Sequence, residues 1–300
     1  MSTVAERART VAQPGIRKRN PFWRRAKRVP FLLLIAAIFL YAIFPFYWVL
    51  RSAFTPDGDL FKTPVQYFPV HATLQNFREV LSSGQFQDAL INSTIVATSV
   101  VLVALAAGAL AAYALGRFNF RGRSVTLYVM LSMTTFPQIA ILGALYTMIN
   151  SFGLFNDLKA LILSYMIFTL PFTVWVLTSF MRALPKDLEE AAYIDGASPF
   201  QVFYKVMLPL VAPGLVTTGL LAFIAAWNEF LYALSFTETT DKHTVPVAIV
   251  QFTGKSGSTF QIPWGQIMAA TVVVTVPLIV LTLILQRRIL AGLTAGAVKG

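Results

Sequence analysis

The chain has 300 residues, 56% of them hydrophobic and only 12% charged, whereas water-soluble domains carry about 25% charged residues. The apolar residues gather into blocks long enough to cross a bilayer as helices of about 20 residues, which excludes a soluble globular domain. A net charge of +11 does not imply a nucleic-acid partner, because nine of the cations precede the first apolar block, and zero cysteines exclude a disulfide framework or thiolate metal site.

In chain order, residues 1–28 form a basic tail with Arg7, Arg9, Arg17, Lys18, Arg19, Arg24, Arg25, Lys27 and Arg28. It is too long and basic for a signal peptide, so the apolar run behind it reads as a retained first span. Residues 29–300 read as one transmembrane domain, an all-α membrane protein of six spans near 30–50, 89–115, 125–149, 158–181, 214–236 and 265–285. Residues 55–87, with Pro56, Pro64, Pro69 and Gly84, read as an excursion out of the membrane. Pro45, Pro137, Pro171 and Pro277 each fall within a span and are expected to kink it. Residues 286–300 form a short C-terminal tail.

Six spans place both termini on one side. That side receives 18 Lys and Arg residues against 6 on the other, so the positive-inside rule makes both ends cytosolic. Segments 51–88, 150–157 and 237–264, with His71 and His243, then face outward.

Between the fourth and fifth spans lies a polar loop, 182–213, longer than neighbouring helices require. Pro185 suits a first helical position, and Asp187, Glu189 and Glu190 complement the dipole of a first turn. Gly196 suits the left-handed residue that ends that helix, Ser198 caps a second helix with Pro199 at its first position, and Pro209 closes it. The expectation is a helix-turn-helix knob on the cytosolic face. Val202, Phe203, Val206 and Leu208, at helical spacing, read as an apolar surface that asks for a partner.

Within the spans, Glu229 is the one deeply placed carboxylate, flanked by Trp227 and Asn228. Charge at that depth costs about 2.5–3.5 kcal/mol on insertion scales, which marks Glu229 as a candidate for the transport path. Packing against a neighbouring helix near the outer mouth is an equal alternative. Gln138, beside Pro137, and Asn228 are further polar candidates for the path. A membrane enzyme would need a catalytic or metal cluster, and both histidines lie in outer loops. No Gly-x4-Gly-Lys-Ser/Thr loop is present, since Gly254 and Lys255 lack the leading glycine. An ion-coupled secondary transporter remains the alternative class, although no internal repeat is evident.

The loop carries a spaced pattern: Glu190, Ala191, Ala192, three residues, Gly196, nine residues, then Val206, Met207, Leu208 and Pro209. It resembles the EAA loop of ABC importer permeases, departing only where Val206 replaces isoleucine. Further resemblance lies in AAYALGR at 111–117, YIDGA at 193–197 with Asp195, AWNEF at 226–230, and GLTAGAVKG at 292–300. These narrow the likeness to carbohydrate-uptake permeases of maltose and trehalose type, in particular the second permease subunit.

The resemblance implies a subunit of an ATP-driven importer in a bacterial or archaeal cytoplasmic membrane, carrying an α-glucoside di- or oligosaccharide by alternating access. It implies a heterodimer with a second permease, two copies of a cytosolic ATPase subunit that hold ATP and Mg, and an extracytoplasmic sugar-binding protein. No catalytic residue and no cofactor are expected on this chain. Glu190, Ala191, Ala192, Asp195, Gly196, Val206, Leu208 and Pro209 would dock on the ATPase, the tail at 292–300 would reach toward it, and the loop 237–264 toward the binding protein.

Overall fold

The computed structural model describes residues 21–251 and 262–297, with side chains for 29–251 and 262–286. The tail up to residue 20, and Gly254, Lys255, Gly257, Ser258 and Thr259 of the outer loop, lie outside the described residues. Among those described, every regular element is a helix.

The chain divides into a unit ending at Trp48 and a larger one from Val49 onward. The first unit is the body of α1 (Pro21–Ala53), which begins within the expected basic tail, so residues 21–28 are already helical. Its Phe44 and Trp48 rings lie 5.8 Å apart, one turn along the helix.

The larger unit holds α2 (Gln75–Ser82), α3 (Gly84–Arg117), α4 (Arg123–Thr135), α5 (Gln138–Ser151) and α6 (Leu158–Ala183). It continues with α7 (Asp187–Ile194), α8 (Pro199–Leu210), α9 (Ala212–Trp227), α10 (Leu231–Phe236), α11 (Val245–Val250) and α12 (Trp264–Ala297). Four helices have the length and hydropathy of single spans: Val29–Ala53, Gly84–Arg117, Leu158–Ala183 and Trp264–Gln286.

Two expected spans are not single helices. The span expected at 125–149 is broken between α4 and α5, whose axes differ by 97°. Proline disfavours the helical conformation for the residue before it, and Phe136 is extended at ψ 133°. The span expected at 214–236 stops at Trp227 and restarts at Leu231, leaving Asn228, Glu229 and Phe230 between α9 and α10. Pro171, by contrast, sits inside an unbroken α6, where Thr169 and Thr173 donate their hydroxyls to the carbonyls of Tyr165 and Thr169 one turn back.

The central scaffold is the packing of α3 on α6, with α9 against both. Their close approach depends on small residues: a Cβ at Gly116 would lie 2.8 Å from the Met181 Cβ. One core joins Val100, Tyr165, Trp227, Tyr232 and Phe236. A second, at the other end of α3 and α6, joins Tyr113, Leu177 and Met181 to Val202, Phe203 and Met207 of α8. The excursion at 55–87 is fastened to the start of α12. Asn76 Nδ2 donates to the Ala53 and Thr55 carbonyls at 2.9 Å, Gly265 N donates to Asp57 at 2.8 Å, and Gln266 meets the Glu79 carboxylate.

Candidate functional site

The loop at 182–213 folds into the expected helix-turn-helix knob, built largely by local rules. Leu184, before Pro185, is extended and ends α6. Helix α7 then starts at Asp187, so Pro185 lies outside it, not at its first position; the three carboxylates Asp187, Glu189 and Glu190 occupy its first turn. Gly196 has φ 82°. Gly196 N donates to the Tyr193 carbonyl and Ala197 N to the Ala192 carbonyl, both at 3.0 Å, the two bonds of a Schellman ending. Ser198 and Gln201 form a reciprocal capping box, with Pro199 in the first turn of α8.

Pro209 does not close the second helix. Helix α8 passes through a widened turn at Val202–Met207, in which Leu208 N donates to Phe203 five residues back. This turn carries the helix past a residue with no N–H to donate, and the chain bends by 74° only at Val211, where α9 follows.

The apolar stripe of α8 also faces differently from its expected role. Val202, Phe203 and Met207 are buried on Tyr113, Leu177 and Met181, so this stripe seats the knob on its own bundle. Val206 and Leu208 are half-buried. The exposed apolar side chains belong to the outer surface of the two helices: Ile194 is 85% exposed, Phe200 65%, and Tyr193 and Tyr204 also lie open. Glu190, Ala191, Asp195, Gly196 and Pro209 are exposed with them, and Ala192 is half-buried.

A residue without an assigned role in the sequence reading, Arg117, ties the knob to the spans. It ends α3, and its Nε and Nη2 both lie 2.8 Å from Glu189 Oε2. Its Nη1 donates to the Leu184 carbonyl at 2.8 Å and to Met181 at 3.2 Å, and Nη2 to Pro185 at 3.3 Å. The side chains are 5% and 13% exposed. Only the last arginine of AAYALGR hinted at this contact, because its partners lie more than 60 residues away.

The three path candidates do not line one cavity. Gln138 opens α5 and borders a cavity of about 310 Å³ walled also by Phe136, Phe168 and Tyr232. Tyr232 Oη donates to the Gln138 carbonyl at 3.3 Å. Asn228 ends α9, donating its side-chain amide to Ile224 at 2.8 Å. Glu229 is buried, with Oε1 accepting from Tyr232 N at 2.8 Å and Oε2 from Ala233 N at 3.1 Å. Its carboxylate thus caps α10 and is not on the cavity wall. Among the described residues no group of three or more His, Asp or Glu side chains could hold a metal ion.

The pattern of the family described as binding-protein-dependent transport system inner membrane component matches residues 66–294. The chain belongs to this family. Its members are membrane components of transport systems, not enzymes, and the matched stretch contains both α4–α5 and the knob. The trehalose/maltose transport system permease protein MalG of Thermococcus litoralis is 43% identical over 90% of this chain and 96% of its own. The trehalose transport system permease protein SugB of Mycobacterium tuberculosis is 43% identical over 87% and 93%. The crystal structure of a bacterial ABC transporter involved in import of the acidic polysaccharide alginate matches the fold with a TM-score of 0.76 at 20% identity, covering 88% of this chain and 97% of that one.

Proposed function

We propose that the chain is the second of two permease subunits in an ATP-driven sugar importer, and that its knob couples ATP hydrolysis to movement of the spans. The observation that carries this is the anchoring of the knob: buried through Val202, Phe203 and Met207, tied through Glu189 to Arg117, yet presenting Glu190, Ile194 and Phe200 outward. A force on the exposed surface of such a body reaches the ends of α3 and α6 directly. The breaks at Pro137 and at 228–230, near the cavity, supply places where the spans can yield.

In this reading both termini and the knob are cytosolic, as the positive-inside count supports, and the bilayer surrounds the spans between residues 29 and 285. The knob of α7 and α8, with Glu190, Ala191, Ala192, Asp195, Gly196, Val206, Leu208 and Pro209, docks on one of the two copies of an ATPase subunit in the complex, and those subunits hold ATP and Mg. The outer segments at 51–88 and 237–264 face a sugar-binding protein. The solved alginate importer, in complex with an alginate pentasaccharide-bound periplasmic protein, supports a partner of that kind. The names of the relatives support an α-glucoside such as trehalose or maltose as cargo. Of the three path candidates, Gln138 is the one that borders the cavity and is proposed to meet this cargo. The family assignment gives no support to the ion-coupled alternative.

Sugar uptake into proteoliposomes containing the assembled complex tests the proposal. Uptake that requires internal ATP and binding protein is expected; uptake driven by an ion gradient without ATP would overturn it.

A further inference from the structure

Three helix ends meet beside the knob: the end of α3 at Arg117, the start of α4 at Arg123 and the end of α6 at Ala183. Two adjoining clefts open there, of about 500 Å³ and 230 Å³, sharing Asn119, Arg123 and Arg182; Lys186 lines the smaller one. Arg123 donates to the Gly116 carbonyl at 3.1 Å and to Asn119 Oδ1 at 2.9 Å, and Arg182 to the Leu115 carbonyl at 3.3 Å. These acceptors are neutral. Among the described residues no carboxylate forms an ion pair with Arg123, Arg182 or Lys186, while neighbouring Arg117 has Glu189.

The clefts also offer unused donors. Arg123 Nε is buried with no hydrogen-bond partner. Ser124 and Val125 line the larger cleft in the first turn of α4, where backbone amides have no intrahelical acceptor and the helix dipole favours an anion. Phe120 and Val125 add apolar wall to the same cleft. Uncompensated guanidinium groups, free amides and apolar wall at the ends of membrane-spanning helices match a phosphoryl group carried on an apolar tail.

We propose that the clefts around Arg123 and Arg182 bind a phosphoryl anion, supplied by an anionic phospholipid headgroup at the membrane boundary. The site fastens a lipid beside the knob without being part of the transport path. It depends only on the spans crossing a bilayer, so its outcome is separate from the coupling reading.

The test is native mass spectrometry of the full-length protein released from bilayers containing equal phosphatidylglycerol and phosphatidylcholine. Selective retention of phosphatidylglycerol is expected, weakened about fivefold by Arg182→Gln, the effect of one cation at a membrane surface. Arg123→Gln should act similarly, but Arg123 makes three hydrogen bonds around the end of α3, to Gly116, Phe118 and Asn119, whereas Arg182 makes a single one of 3.3 Å to Leu115, so Arg182→Gln disturbs the fold less and is the decisive variant. Arg121→Gln removes a charge from the same loop outside the clefts and should change retention less than twofold. Adding inorganic phosphate distinguishes the sources. Phosphate that displaces the lipid only at high concentration supports the headgroup, whereas phosphate bound without any retained lipid keeps the phosphoryl chemistry and assigns it to the soluble ion. Equal retention of both lipids with no phosphate binding, or equal losses in Arg121→Gln and Arg182→Gln, would overturn the site.

Discussion

The Arg117 guanidinium meets the Glu189 carboxylate at 2.8 Å through two nitrogens, joining the last residue of α3 to the first turn of α7 across 72 positions of sequence. The pair is nearly buried, and the same guanidinium satisfies the carbonyls of Met181, Leu184 and Pro185 at the end of α6. Breaking a buried pair from one side costs about 3–5 kcal/mol, less where solvent still reaches one partner, as it does Glu189. Arg117→Ala leaves a carboxylate and three carbonyls without their donor, so it should destabilise more than Glu189→Gln, which keeps a neutral acceptor. Thermal unfolding of the two variants in detergent checks this order.

Gly196 lies at φ 82°, with open space where a side chain would project, so the requirement for glycine there is one of backbone conformation. An ordinary L-residue in that region costs roughly 1–2 kcal/mol, and asparagine less. Gly196→Val should therefore reduce sugar-stimulated ATP hydrolysis by the assembled complex several-fold while the protein still inserts, and Gly196→Asn should retain most of it. Equal activity in both variants would detach the turn from coupling.

Glu229 caps α10 while Gln138 borders the cavity, so substitutions at the two positions should separate. Glu229→Ala should lower stability by about 1–2 kcal/mol, the upper range for a lost cap, with little change in the KM for uptake. Gln138→Ala should raise KM and leave the unfolding temperature near that of the wild type. Uptake kinetics alongside unfolding of both variants resolve the two roles.

Outside the spans, His243 is buried, and loss of hydration holds its imidazole below the ordinary pKa against the opposing pull of the Glu238 carbonyl and the Asp241 carboxylate. The unfolded loop then takes up a proton more readily than the folded one. Stability from this group is full above the unfolded pKa near 6.5 and falls as pH drops below it. Asn92 holds the same segment through the carbonyls of Asp241 and His243 at 2.8 and 3.0 Å. Hydrogen-exchange protection factors at 241–250, corrected for the intrinsic pH dependence of amide exchange, should fall below pH 6.5 in the wild type, with a weaker pH response in His243→Gln.

What could be read from the sequence follows the range of the interactions. The turn at Gly196 and the cap at Ser198 were legible because each is decided within six residues. Pro137 and Pro171 look alike in sequence, both in apolar stretches, yet one breaks its span by 97° and the other stays inside α6. What differs is the packing around them: α6 is held by α3 over much of its length, whereas Phe136 and Gln138 flank the first break exposed. Periodicity identified an apolar stripe at Val202 and Phe203 but not that it is buried on the chain's own bundle, because a pattern of apolar residues is the same whether its partner is another chain or its own. Arg117 was hidden for the reason that makes it informative: its contacts are distant in sequence.

The central claim is that the exposed surface of α7 and α8 rests on a cytosolic ATPase. The natural chain has no cysteine, so Ile194→Cys, at a side chain 85% exposed on the knob, provides a unique attachment point. A short thiol–amine cross-linker applied to membranes holding the whole complex should join this position to the ATPase subunit, while Asp241→Cys in the outer loop should not. Failure of Ile194→Cys to reach the ATPase, or capture of the ATPase from Asp241→Cys instead, would contradict the account.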